Sequence, residues 1–138
     1  MQLSRKADYA LRAVTHFAGL PKGELASIGT VAEAQQIPRE FLAKILKDLT
    51  WAGILVSYQG VTGGYRLARA PKDISFLNVI EAMEGPVSLN LCTQEGRCEC
   101  ERMNHCQMRD FWIKQEVYFK KALGRANFAK YRSSAKEK

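Results

Sequence analysis

The chain has 138 residues, of which 46% are apolar and 25% charged, values that fit one globular domain and exclude both wholesale disorder and two independent cores. Its formal charge of +7 is uneven: +3 over residues 1–67 (eight Lys/Arg against five Asp/Glu), −2 over 68–119 (six against eight) and +6 over 120–138 (seven against one). Charge alone therefore does not establish a nucleic-acid partner, because a basic terminus is as readily a solvated tail as a phosphate-contacting one.

No apolar run approaches the roughly 18 residues that span a bilayer, and the amphipathic start MQLSRKADYALRAV is unlike a signal peptide. A cytoplasmic protein with no membrane partner is the expectation. All four cysteines fall between Cys92 and Cys106. In a reducing compartment such a cluster points to metal or redox chemistry rather than to disulfides.

Ser4 can cap a first helix with Ala7, Ala10, Leu11, Val14, Phe17 and Ala18 at helical spacing, ending near Gly19 and Pro21. Ser27 opens a short second helix with Ile28, Val31 and Ala32 on one side, which runs out at Gln36. Pro38, well placed in a first turn, starts a third helix that is predicted to bury Phe41, Leu42, Ile45, Leu46 and Leu49 and to stop at Gly53. Its polar face carries Arg39, Glu40, Lys44 and Lys47, with the small Ala43 among them. Ile54–Tyr58 and Tyr65–Leu67 are β-prone runs, and Gly63-Gly64 between them is expected to supply the positive φ of a hairpin turn. Ser75 can cap a fourth helix with Leu77, Ile80 and Met83 inward, stopped by Gly85-Pro86. A last helix begins near Arg109 and shows Trp112, Phe119, Ala122 and Leu123, more apolar surface than a small monomer easily covers. Beyond it the Lys/Ser/Ala-rich end is expected to be frayed or disordered.

A short helix, a tight turn, a longer helix with an exposed polar face and a Gly-tipped hairpin follow one another as in a winged helix-turn-helix. In that arrangement Arg39, Glu40 and Lys44 are candidates for contact with base edges, where Arg suits guanine and Glu accepts from cytosine. Lys47, further along the helix, is a phosphate candidate, and Gln59 and Thr62 at the hairpin tip can reach an adjacent groove. A helical hairpin with a merely solvated charged face has the same periodicity. His16, Trp51 and Tyr58 are assigned packing or local surface roles. No phosphate-cradling loop, nucleophile elbow or His-Glu metal motif is present, so no enzymatic activity is expected.

Asp8-Tyr9-Ala10-Leu11-Arg12, the run from Ile37 to Leu46 (IPREFLAKIL) and the run from Gly60 to Leu67 (GVTGGYRL) together resemble the IscR/NsrR/RirA-type regulators. The likeness runs from Met1 to about Trp112 and includes the cysteine loop at the place where those proteins carry theirs. It implies a homodimer, a palindromic DNA operator and, in many members, an iron-sulfur cluster held by three loop cysteines and a variable fourth ligand.

The cysteines are spaced Cys92-x5-Cys98-x-Cys100-x5-Cys106, and thiolates in a short loop suit an iron-sulfur cluster, [2Fe-2S] or [4Fe-4S]. Four thiolates can also bind zinc, or act uncomplexed as a redox switch. By the resemblance, Cys92 and Cys106 match the first and last loop ligands and Cys98 the middle one. Cys100 is an extra cysteine that can substitute for Cys98 or complete an all-cysteine site. IscR-like proteins place a histidine three residues after the last cysteine, where this chain has Arg109, and His105 is out of register. Asp8 matches the helix-1 carboxylate that reaches the cluster across the dimer in nitric-oxide-sensing members. A first-turn acid is also favoured by the helix dipole alone.

The expected organisation is mainly α with a small β-hairpin wing: a winged helix-turn-helix over residues 1–70, a connecting helix over 71–91, a cysteine-rich cluster loop over 92–106, a long dimerisation helix over 107–126 and a basic, disordered tail over 127–138. The expected function is a dimeric DNA-binding transcriptional regulator whose operator affinity follows the state of its cluster. Two alternatives are a clusterless regulator sensing thiol oxidation, zinc or a metabolite, and a redox or iron-sulfur carrier that binds no DNA.

Overall fold

The computed structural model describes residues 1–94 and 100–133. Among the described residues the order is α1 (Arg5–Ala18), α2 (Ile28–Gln35), α3 (Arg39–Trp51), β1 (Leu55–Tyr58), β2 (Gly64–Leu67), α4 (Phe76–Glu84) and α5 (Arg109–Arg125), with 3-10 turns at Pro71–Asp73 and Leu91–Thr93. The expected class, helices with a hairpin wing and a long last helix, is the observed one. No described helix is long and apolar enough to cross a membrane.

Local chemistry sets most of the boundaries. Ser4 Oγ accepts the Ala7 N–H at 3.1 Å, and Ser27 Oγ that of Thr30 at 3.2 Å, each satisfying an orphan donor at a helix start. Ser75 and Asn78 form a reciprocal capping box on α4. Gly53, at φ +76°, lets the chain leave α3 so that the Ile54 N–H returns to the Leu49 carbonyl at 3.0 Å.

The core is built where α1, α3 and α4 meet, from Ala10, Val14, Phe17, Leu42, Leu46, Leu49, Ile74 and Val79, all essentially excluded from solvent. Val31 closes it from α2, and Ile54 and Leu55 from the start of the wing. The hairpin pairs Leu55 with Leu67 and Tyr58 with Gly64. Ala26, in the loop before α2, exchanges both backbone hydrogen bonds with Tyr65 (3.0 and 2.9 Å), so the wing is docked to the helical domain along its second strand.

Three expectations are corrected. Phe41 is not in the core; it is 57% exposed, because the buried stripe of α3 is Leu42, Ile45, Leu46 and Leu49 and Phe41 falls to one side, edge-on to Tyr9 of α1 at 6.4 Å. The positive φ values of the hairpin belong to Gly60 (+112°) and Gly64 (+155°); Gly63 is needed for space, since a Cβ there would collide with the Tyr58 carbonyl. The chain after α5 is ordered through Ser133: Asn127 bridges to Ser75, and Phe128 is wholly buried against Phe76 with its N–H on the Pro71 and Ile74 carbonyls (3.2 and 3.4 Å). The remaining tail, 134–138, lies outside the described residues.

Candidate nucleic-acid interface and cysteine segment

Gln36 ends α2 in the left-handed region (φ 53°, ψ 50°), buried Ile37 fixes the corner, and Pro38 starts α3 after only that turn. The geometry turns α3 sharply against α2 and leaves Arg39, Glu40, Lys44 and Lys47 exposed on the side away from its buried stripe. The Arg39 guanidinium reaches back over the first turn of α2, 4.0 Å from where a Cβ would stand on Gly29. A methyl there would make only ordinary van der Waals contact with it.

The wing carries the other predicted contacts. Gln59 and Thr62 are exposed at its tip, with fully exposed Val61 between them. Thr62 and Gly63 line one cleft with Ser27 and Thr30 at the start of α2 and His16 and Leu20 at the end of α1. The tip and the α2 N-terminus are therefore neighbours, and a helix N-terminus with free N–H groups suits a phosphate.

Two arrangements escaped the sequence reading. Arg66 donates to the Tyr58 hydroxyl and lies 5.2 Å over its ring, a cross-strand lock on the outer face of the wing. The alternation of β-strand residues was the available signal, since Tyr58 and Arg66 share a face in the Tyr58–Gly64 register. Arg12 pairs with Asp8 at 3.5 Å, stacks 5.3 Å over Tyr9 and donates to the Gln35 carbonyl, tying α1 to the helix-turn-helix corner. An i, i+4 Asp-Arg pair is visible in sequence, but its third partner is 23 residues away.

Cys92 stands in the 3-10 turn Leu91–Thr93, 9% exposed. Asn90 caps that turn, accepting from the Leu91 N–H at 2.8 Å, while Thr93 Oγ1 donates to the Asn90 carbonyl and approaches Ser88 Oγ at 3.2 Å. The turn is latched to α5 by the Leu89 N–H donating to the Glu116 carboxylate at 3.0 Å. Cys100 and Cys106 are half-buried free thiols, His105 is exposed, and Cys98 lies outside the described residues.

Donor chemistry suits a thiophilic centre, since thiolate sulfur is a soft ligand and Cys92 is held in a hydrogen-bonded, nearly dry turn. Among the described residues, no three His, Cys, Asp or Glu side chains are grouped to hold a metal ion. Asp8 is exposed beside Gln2, Arg5, Tyr9 and Arg12, and no described cysteine lines that surface with it. In metal-free protein a thiol reagent should label Cys100 and Cys106 before Cys92, because reaction needs an accessible thiolate. Peptide mapping of partly labelled protein checks the order, and early loss of Cys92 would contradict the closed turn.

Helix α5 packs on α4, yet none of its residues is buried, and Phe111, Val117, Tyr118 and Phe119 are all more than 40% exposed. Together with Met1, Leu3 and Ile80, its Phe111, Trp112 and Phe119 line an open groove of about 970 Å³.

The fold resembles that of CymR, the global cysteine regulator of B. subtilis, with a TM-score of 0.75 over 94% of each chain at 24% identity. It resembles T. potens IscR as closely, with a TM-score of 0.74 over 94% of this chain and 84% of that one, also at 24% identity. In sequence the chain is 42% identical over 84 residues to a helix-turn-helix-type transcriptional regulator of Synechocystis sp.; the match takes in 61% of this chain and 57% of that relative's length. A model of the Rrf2 family, described as iron-dependent transcriptional regulator, matches residues 3–131. The chain therefore belongs to the Rrf2 family, whose members are transcriptional regulators and not enzymes.

Proposed function

We propose that the protein is a homodimeric, DNA-binding transcriptional regulator whose operator affinity is set by the state of its cysteine segment. The observation that carries this reading is the polar face of α3: Arg39, Glu40, Lys44 and Lys47 stand free of the core beside a docked, Gly-tipped wing. In it, Arg39, Glu40 and Lys44 read base edges in the major groove, Lys47 meets phosphate, and Gln59 and Thr62 contact the neighbouring groove. A second copy covers the groove along α5, and the two-fold dimer reads a palindromic operator with half-sites about one helical turn apart.

The cysteine segment is the sensing element. Cys92, Cys98 and Cys106 would hold an iron-sulfur cluster, with Cys100 or Asp8 of the partner subunit as the further ligand, and the cluster supplies redox and ligand-exchange chemistry when bound. The part of this chain in transmitting its state is the link from Leu89 to Glu116, which ties the Cys92 turn to α5 and hence to the spacing of two recognition helices. In a thiol-sensing variant of this reading the same cysteines act uncomplexed, as an oxidisable switch.

The test combines two measurements on anaerobically purified protein. The visible spectrum with iron, sulfide and zinc content is compared between wild type and Cys92→Ala/Cys106→Ala. Matched iron and sulfide with broad absorption, lost in the variant, is expected; stoichiometric zinc or colourless protein after reconstitution would replace the cluster by zinc or by thiols. On DNA selected from a random library, Arg39→Glu/Lys44→Glu should abolish sequence preference, since each good base contact is worth about 1–3 kcal/mol. Unchanged preference would refute the assignment of α3.

A further inference from the structure

The strongest positive charge in the sequence, seven Lys/Arg against one acid over residues 120–138, has no part in the function proposed above. The structure shows where its middle is held. After Phe128 enters the core, Tyr131 packs on Phe76 at 5.2 Å and Lys130 lies 5.9 Å over the Tyr131 ring. The Ser133 N–H then donates to the Thr15 carbonyl of α1 at 3.1 Å. Gly19 admits this strap: a Cβ there would run into the Ser133 carbonyl.

The anchor lies on the last turns of α1. His16 from those turns and Leu20 just beyond them line the cleft that also contains Ser27 and Thr30 at the start of α2 and Thr62 and Gly63 of the wing. The strap therefore ends close to the two elements that, in the proposed reading, approach the DNA backbone. Lys130 and Arg132 are both exposed, and among the described residues neither forms an ion pair.

We infer that the strap over residues 127–133 is a second, sequence-independent DNA contact, in which Lys130 and Arg132 meet the sugar-phosphate backbone beside the half-site read by α3 and the wing. The inference rests on the DNA-binding reading and extends it to a surface formed only after the last helix. Cations placed on phosphates add affinity through counterion release and add no base preference.

The experiment measures affinity for a random-sequence duplex of about 30 base pairs as KCl rises from about 50 to 200 mM, using wild type and Lys130→Gln/Arg132→Gln. The substitutions leave Phe128 in place, and thermal melting verifies that the fold is kept. Loss of both contacts should flatten the slope of log K against log salt by about 0.9 per contact in each subunit, with preference for library-selected DNA unchanged. Lys130→Arg/Arg132→Lys should restore the slope. Equal slopes in wild type and the glutamine variant, or a variant that loses preference instead of slope, would overturn the inference while leaving DNA binding itself standing. A wild type that binds neither duplex would remove the underlying reading and this inference with it.

Discussion

Phe128→Ala is expected to destabilise the protein by about 3–5 kcal/mol, the usual cost of emptying a large aromatic site in a packed core. The ring has no solvent exposure and stacks on Phe76 at 4.9 Å, and the backbone around it is hydrogen-bonded to the Pro71–Asp73 turn and to Ile74. Such a loss is a large share of the roughly 5–15 kcal/mol that holds a domain together. Urea unfolding should show a lower midpoint with little change in slope. Tyr131→Ala, at a position 48% exposed, should cost much less. An alanine at 128 that melts like wild type would mean that the segment after α5 is not part of the core. Since the strap joins the end of α5 to the start of α4, the same substitution should also release that end of the last helix.

Gly64→Ala should separate stability from DNA binding. The residue sits at φ +155°, and an added Cβ would lie 2.7 Å from the Ala26 carbonyl oxygen and 2.9 Å from its carbon. Those atoms belong to backbone that is itself hydrogen-bonded to Tyr65, so relief requires the wing to move off the α1–α2 loop. Strain of this kind costs about 1–3 kcal/mol in stability. The consequence for DNA is larger, because Gln59 and Thr62 ride on the displaced hairpin. Affinity for library-selected DNA should fall at least about tenfold, equivalent to about 1.4 kcal/mol, while circular dichroism stays helical. Full affinity in the alanine variant would show that the wing has no part in recognition.

Much of the fold is legible in the sequence because it is set by neighbours in the chain. Ser4, Ser27 and Ser75 announce helix starts through hydroxyls that reach N–H groups three residues on, and Gly53 announces a stop through a backbone conformation other residues resist. The short α2, the corner at Pro38 and the polar face of α3 are patterns within one or two turns of helix, and the candidate contacts on α3 follow from them. Cysteine spacing likewise marks the segment from Cys92 to Cys106 as a unit.

What the sequence alone determined is thus the order of elements, the exposed polar face of α3 and the thiol-rich segment. The tertiary structure decided the features that depend on partners far apart in the chain. Phe41 matches the helical stripe in number, yet its angle around α3 puts it beside Tyr9 outside the core. Phe128 stands with Tyr131 in a largely polar run, with no helical stripe to mark it, and becomes core because α4 and the Pro71–Asp73 turn leave a site for it. Arg12 finds the Gln35 carbonyl, and Leu89 finds Glu116, across 23 and 27 residues. Hydrogen bonds at such separations are fixed by how helices pack, and packing follows the whole set of buried side chains at once.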